Sequence, residues 1–475
     1  MTRTNAAPKL SVEEVRLYER DQTLRMPFRF GVATMTESPQ AYAHVRVRLE
    51  DGREGWGVAG EMLAAKWFDK DLSLSNEDNY RQLRAALGIA SDAYRAAGPA
   101  TAFDLFAGNY RAQIAASAAV GLNPITACYG PALLDRAVLD ALCRLHDASF
   151  ADAIRRNLPG IRRSDLTPDL EDFDLGAFLA GLNPGDSIHA RHTVGMVDPI
   201  ASNPEPVNDG LPETLADVIA TYGHRYFKIK VGGDLMADLA RLAEIAAALD
   251  AIDGEYLVSL DGNEQYREAS TVIELLRAIA ARPELIRFSE SILFVEQPIA
   301  RSVALDGDIW ALSTYKPVII DESDGTLDTF PKAKELGYAG VSSKTCKGFY
   351  KSILNRARCE RWNARADGPR YFMSAEDLTT PAGVSVQQDL ALVSLLGIGH
   401  VERNGHHYIN GMAAAPAAEQ RAFLTAHPDL YHEAGGAARL TIRDGRIALG
   451  SLGCAGFATA AMPDFGSMRA MSMPD

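Results

Sequence analysis

Two periodicities divide this chain. Near the N-terminus apolar and polar residues alternate one by one. In Ala43-His44-Val45-Arg46-Val47-Arg48-Leu49 the odd positions are apolar and the even ones polar. A period of two predicts a strand with one face in a core and the other toward water. Asp51-Gly52 follows as a hairpin turn, and Glu54 to Val58 returns as the next strand. Residues 101–145 are rich in Ala and Leu and predict helices, with a break at Pro124. A small antiparallel sheet followed by helices is an α+β arrangement. It is assigned to residues 1–185.

The run Gly181-Leu182-Asn183-Pro184-Gly185 reads as a linker. Beyond it the pattern changes. Seven segments each run apolar into a single charged residue: Lys230, Asp261, Glu296, Asp321, Lys344, Glu376 and Glu402. The steps between them are 23 to 35 residues, each about one strand-plus-helix unit. Ile188 to Met196 precedes them as a first strand. Helices are predicted over 212–222, 236–249, 271–281, 331–336 and 381–396. The step from Asp261 to Glu296 is long and calls for an insertion. A parallel strand buried on both faces has no reason to end in a charge unless something at its end needs one. Seven such ends in register predict a ring of polar groups at the mouth of a (β/α) barrel, where barrel enzymes keep their chemistry. The barrel is assigned to residues 186–412.

Residues 413–475 return to strands. Leu440 to Arg443 and Arg446 to Leu449, around Asp444-Gly445, read as a hairpin. A closed barrel offers no edge to such a tail, so it is expected to pack back on the N-terminal domain, with Met468 to Asp475 loose. The expected fold is a modified (β/α) TIM-type barrel with an α+β capping domain built from the N-terminal region and the C-terminal tail.

Composition narrows the partners. The net charge of −14 argues against a broad nucleic-acid or anionic-membrane surface. It leaves a small anionic substrate open, because a bound cation can reverse the local field. Five cysteines without a CxxC pair read as core thiols of a reduced chain. No apolar signal region or membrane-length run is visible, so a cytoplasmic protein is expected. Barrels of this kind often assemble, and a homo-oligomer is an open expectation.

Strand parity then assigns directions. Lys228 and Lys230 share one face of their strand, and Phe227, Ile229 and Val231 share the other. The apolar face packs on helices, so the lysines point inward. Asp261 and Asn263 share a face on the next strand. Glu296 ends the third just before a proline. Asp321 and Glu322 are adjacent, and parity does not choose between them. Three carboxylates on neighbouring strands, about 5 Å apart, repel one another unless a cation sits among them. All-oxygen ligands suit a hard divalent ion, Mg²⁺. Lys228 and Lys230 flank the acids on one side in strand order, and Lys344 and Lys347 on the other. A lysine near other cations has a depressed pKa and can act as a base. That set suits removal of a proton next to a carboxylate.

These segments resemble the enolase superfamily. Lys228-Ile229-Lys230 resembles its KxK strand, Asp261-Gly262-Asn263 its DxN strand, Glu296-Gln297-Pro298 its EQP strand and Asp321-Glu322-Ser323 its DES strand. Lys344-Thr345-Cys346-Lys347-Gly348 resembles the KxxKxGG segment of the muconate-lactonizing-enzyme subgroup, but Phe349 replaces the second glycine. The resemblance implies Asp261, Glu296 and Asp321 as Mg²⁺ ligands and Lys230 and Lys344 as the acid/base pair. It also implies capping loops near residues 27–36 and 62–69, with Arg29, Lys66 and Trp67 as contacts. Lys228, Asn263, Lys347, Glu376 and Glu402 are candidates for substrate binding. The implied activity is α-proton abstraction from a carboxylate through an enediolate, as racemase, epimerase or cycloisomerase. An acid-sugar dehydratase, with Glu376 as the acid near the β-hydroxyl, and a catalytically silent binding barrel are the alternatives.

Overall fold

The computed structural model describes residues 7–31, 33–366, 368 and 370–474. Three antiparallel strands, β1 (Leu10–Phe30), β2 (Ala33–Leu49) and β3 (Glu54–Met62), form the first sheet. Arg48 faces Glu54 across the Asp51-Gly52 turn. The alternation in β2 is real: Ala43, Val45, Val47 and Leu49 are buried, and the residues between them are partly or fully exposed. Pairing of β1 with β2 shifts between Thr23 and Phe28. A bulge of this kind bends a hairpin, and the bent tip carries Phe28, Phe30 and Met35 to the barrel mouth.

Four helices follow: α1 (Ala65–Phe68), α2 (Asn76–Ala96), α3 (Ala102–Ala119) and α4 (Pro124–Leu145). Ser75, Thr101 and Asn123 cap the last three through their side-chain oxygens. The expected break falls at residues 120–123, and Pro124 starts the next helix. At the first helical position its missing N–H costs no hydrogen bond. Helix α4 lies directly on β3. A Cβ on Gly57 would stand 2.1 Å from the Ala137 carbonyl, so only glycine permits this approach.

The barrel strands are β4 (Ser187–Val194), β5 (Tyr226–Lys230), β6 (Leu257–Asp261), β7 (Ile292–Glu296), β8 (Val318–Ile320), β9 (Gly340–Ser343), β10 (Phe372–Ala375) and β11 (His400–Glu402). All neighbours are parallel, and β11 closes on β4. Each of the seven charged residues is the last of its strand or the next one along. The expected insertion before Glu296 is an extra short helix, Ile286–Ser291. No helix among the described residues is long and apolar enough to cross a membrane.

The tail differs from expectation. Its hairpin is β12 (Tyr431–Ala434) with β13 (Ala437–Leu440), turning at Gly435-Gly436. Strand β14 (Arg446–Ala448) pairs antiparallel with β4 at Ser187–His189, and of the expected hairpin only the closing pair Arg443–Arg446 around Asp444-Gly445 forms. The reason is an uneven barrel rim. Tyr226 at the start of β5 sits opposite Arg191, so β4 begins lower than its neighbour and leaves a free edge there. Strand β15 (Arg469–Ala470) does return to the first sheet, pairing with Tyr18 and Glu19 of β1. The expected loose end is therefore ordered through Ala470, and Met471 is buried.

Candidate active site

The barrel mouth is built from strand ends. Phe227 and Ile229 are fully buried on the helix side of β5, and Lys228 and Lys230 turn inward as parity requires. Lys228 Nζ lies 2.9 Å from Asp261 Oδ2, 2.8 Å from Glu296 Oε1, 2.8 Å from Glu376 Oε2 and 3.2 Å from Glu402 Oε2. One ammonium thus ties its own strand to four others. Burial opposes that charge, but the carboxylates prevail and raise its pKa well above the usual lysine value.

The two acid/base candidates stand on opposite walls, on the second and sixth barrel strands. Lys230 Nζ is 2.6 Å from Asp261 Oδ2 and 3.1 Å from Asn263 Oδ1. Lys344 Nζ is 2.7 Å from Asp321 Oδ2. Both line one pocket with Asp261, Asn263, Asp321 and Glu402. The cap contributes Phe28, Phe30, Met35, Ala64 and Trp67 to the wall. Of the suggested cap contacts, Trp67 is there. Arg29 is exposed, and Lys66 donates to the carbonyls of Asp71 and Leu74 instead.

Other candidates sit beneath or behind the cavity. Lys347 Nζ approaches Asp321 Oδ1 from behind at 3.2 Å and Ser342 Oγ at 2.7 Å. Glu376 is not on the wall. Arg191, the Ser374 hydroxyl and Lys228 occupy its two oxygens. Burial works against its charge, but Arg191 and Lys228 pull its pKa down to about 2. Glu402 reaches the wall, yet the Thr193 hydroxyl, Lys228 and the Asp377 N–H take its oxygens. Glu322 faces away from Asp321 and accepts from Asn263 Nδ2 at 2.6 Å. Arg191 went unread in the sequence, although it shares the inward parity of Thr193 on β4. Lys70 and Arg301 carried no local signal at all.

The expectation of depressed lysines is corrected at Lys228 and Lys344. Burial does disfavour charge on Lys344, but Asp321 beside it outweighs burial and raises its pKa. The acids intended for a metal are here the partners of the amines. Among the described residues no three His, Cys, Asp or Glu side chains converge as a ready metal cage. The electrostatics nevertheless fit a cation. Glu296 Oε2 is buried without a hydrogen-bond partner. Burial, followed by Asp261 and Glu376, raises the Glu296 pKa well above the usual range despite Lys228, and Asp321 adds to it. A divalent ion between Glu296, Asp261 and Asp321 would offset that repulsion.

No family model matches the chain, and no curated protein matches it by sequence. Solved structures do match. A muconate lactonizing enzyme from Pseudomonas fluorescens, complexed with muconolactone, aligns over 96% of this chain and 98% of its own at 16% identity, with a TM-score of 0.58. A dipeptide epimerase from Enterococcus faecalis V583, complexed with Mg and the dipeptide L-Leu-L-Tyr, covers 94% and 99% at 14% identity and a TM-score of 0.59. An enolase-superfamily member from Roseovarius nubinhibens ISM, complexed with magnesium, covers 98% and 99% at 14% identity and a TM-score of 0.57. Identities this low speak to architecture, and over nearly its whole length this chain has the fold of the enolase superfamily, a capped (β/α) barrel.

Proposed function

We propose that this chain is a Mg²⁺-dependent enzyme that removes the α-proton of a small carboxylate substrate, with Lys230 and Lys344 as base and acid. The observation that carries the reading is the arrangement of the two walls. Each amine faces the same cavity and lies within 2.7 Å of a different carboxylate of the proposed metal set. Asp261, Glu296 and Asp321 would hold the ion. When bound, it supplies positive charge beside the substrate carboxylate and lowers the cost of the charge that builds up as the proton leaves.

The amines do the proton work. Lys230 withdraws the α-proton from one face, leaving the enediolate. Lys344 returns a proton to the other face, which inverts the centre. Loss of a β-substituent from the same enediolate would be elimination. Where that substituent is a tethered lactone oxygen its loss opens the ring, and the microscopic reverse, closure onto the double bond followed by protonation at the α-carbon, would be cycloisomerisation. The dehydratase alternative is the weaker one, because both oxygens of Glu376 are already committed. The matched structures include a dipeptide epimerase and a muconate lactonizing enzyme, which supports isomerase chemistry on this fold.

Mass gain in D₂O tests the reading. Wild-type protein with Mg²⁺ should exchange the α-hydrogen of a carboxylate substrate. Lys230→Ala and Lys344→Ala should each lose at least about a hundredfold in turnover. A Lys230→Ala/Lys344→Ala double variant that exchanges as fast as wild type would defeat it.

A further inference from the structure

The wall of the mouth cavity is almost fully self-satisfied. Asp261 accepts from the Asn263 N–H at 2.8 Å and from Lys230. Asp321 accepts from Lys344 and Lys347. Asp377 accepts the backbone N–H groups of Thr380 and Gly405, at 3.0 and 2.9 Å. Glu402 is filled by Thr193, Lys228 and the Asp377 N–H. Asn404 and Thr379 bond each other. Every carboxylate on this wall already has its donors.

One wall group stands apart. Trp67 is only 4% exposed, and its Nε1–H is buried with no partner among the described residues. The face of its ring lies 4.1 Å from Lys344 Nζ. A buried N–H without an acceptor is rare and costly, and this one belongs to a side chain lining the cavity. The cap-side wall around it is apolar: Phe28, Phe30, Met35, Ala64, with Leu378 from the barrel.

We infer that the substrate is a carboxylate with an apolar body, no second cationic group, and one hydrogen-bond acceptor that the Trp67 N–H takes. This rests on the proposed carboxylate chemistry of the same site and adds which carboxylates fit. A distal ammonium would meet three lysines and, among the carboxylates lining the pocket, no unpaired one. A polyol would leave several hydroxyls against phenyl and alkyl groups, and buried hydroxyls without partners are penalised. A ketone, ether or ester oxygen satisfies the one open donor.

Four probes test this by calorimetric titration of wild-type protein with Mg²⁺: cyclohexylacetate, 4-oxocyclohexylacetate, 4-aminocyclohexylacetate and gluconate. The ketone is expected to bind about tenfold tighter than the plain acid. The ammonium and the polyol should bind at least about tenfold weaker than the plain acid. Trp67→Phe keeps a ring over Lys344 and removes the N–H. It should abolish the advantage of the ketone over the plain acid, whatever change is common to both. The inference is overturned if no probe binds, if 4-aminocyclohexylacetate or gluconate matches the plain acid, or if the ketone advantage survives in Trp67→Phe. Should Trp67→Phe not fold, the order of the four probes on wild type still decides. Exchange in D₂O, run alongside, separates this from the parent reading. The expected order of binding without any exchange would sink proton abstraction and leave the substrate class. Exchange with gluconate alone would do the opposite.

Discussion

At the scale of single residues, Glu296 concentrates the electrostatic imbalance of the mouth. Its Oε1 meets Lys228, and its Oε2 meets nothing. Its folded-state pKa is raised, first by burial and then by Asp261 and Glu376. A carboxyl raised in the folded state favours folding only while protonated. Its penalty is absent below the unfolded pKa of about 4.3 and grows as pH climbs above it. Glu296→Gln removes the charge and keeps the shape, and Lys228 retains three other acids. The metal-free variant should therefore be more stable than wild type at pH 7 by about 1–3 kcal/mol, with little difference at pH 4. Millimolar Mg²⁺ should raise the wild-type urea midpoint at pH 7 and leave that of the variant unmoved. A variant less stable than wild type without metal would contradict this. Inward parity made Lys228, Lys230, Asp261 and Asn263 legible in the sequence. It could not show that the lysines would sit on the acids, because that depends on distances across the barrel. The expected sign of the shift at Lys228 and Lys344 was wrong for that reason.

At the scale of elements, α1 shows how little local sequence has to say about a functional segment. Four residues cannot sustain a helix alone. Two barrel-facing cations hold it. Arg301 donates to the Trp67 carbonyl at 2.8 Å and the Phe68 carbonyl at 3.0 Å while forking onto Glu264. Lys70 reaches the Asn263 carbonyl and Glu264, each at 2.7 Å. This clasp ties the Trp67 wall to the turn after Asp261, where Asn263 and Glu264 both have positive φ. Arg301→Leu should free residues 64–71. Hydrogen exchange there should rise while β5 to β7 stay protected, with a stability loss of about 1–3 kcal/mol. Unchanged exchange in 64–71 would show that Arg301 does not hold the segment. Strands β2 and β3 were legible because their register is written in local alternation and one turn. Strand β14 was legible as a strand, but its main partner was not. Asp444-Gly445 is a true turn signal, but the partner was decided by a free edge on β4 about 260 residues earlier, which no local pattern encodes.

At the scale of the whole molecule, cap and barrel share a buried polar seam immediately behind Lys344. Arg136 of α4 is fully buried. It reaches Glu61 Oε2 of β3 at 2.9 Å, the Gly60 carbonyl at 3.0 Å and Gln388 Oε1 of the barrel at 3.2 Å. The same Glu61 oxygen accepts the Thr345 hydroxyl, one residue beyond Lys344, at 2.9 Å. Gln388 returns a bond to the Val58 carbonyl. The tail adds a second seam through the buried Arg20–Glu419 pair and the β14 and β15 pairings. With two seams joining them, the cap has no route to unfold while the barrel stays native. Cys143 in the cap and Cys359 in the barrel are both buried and free, so their labelling in urea reports each part separately. The two midpoints should coincide. Arg136→Met leaves the Glu61 carboxylate buried without its cation and should cost about 3–5 kcal/mol. Both midpoints should fall together, and a Glu61→Gln/Arg136→Met double variant should recover part of the loss because the orphaned charge is gone. Labelling of Cys143 at a distinctly lower urea concentration than Cys359 in wild type would mean that the cap melts alone. The position of Trp67 over Lys344 would then be set by the clasp at α1 and not by the seam.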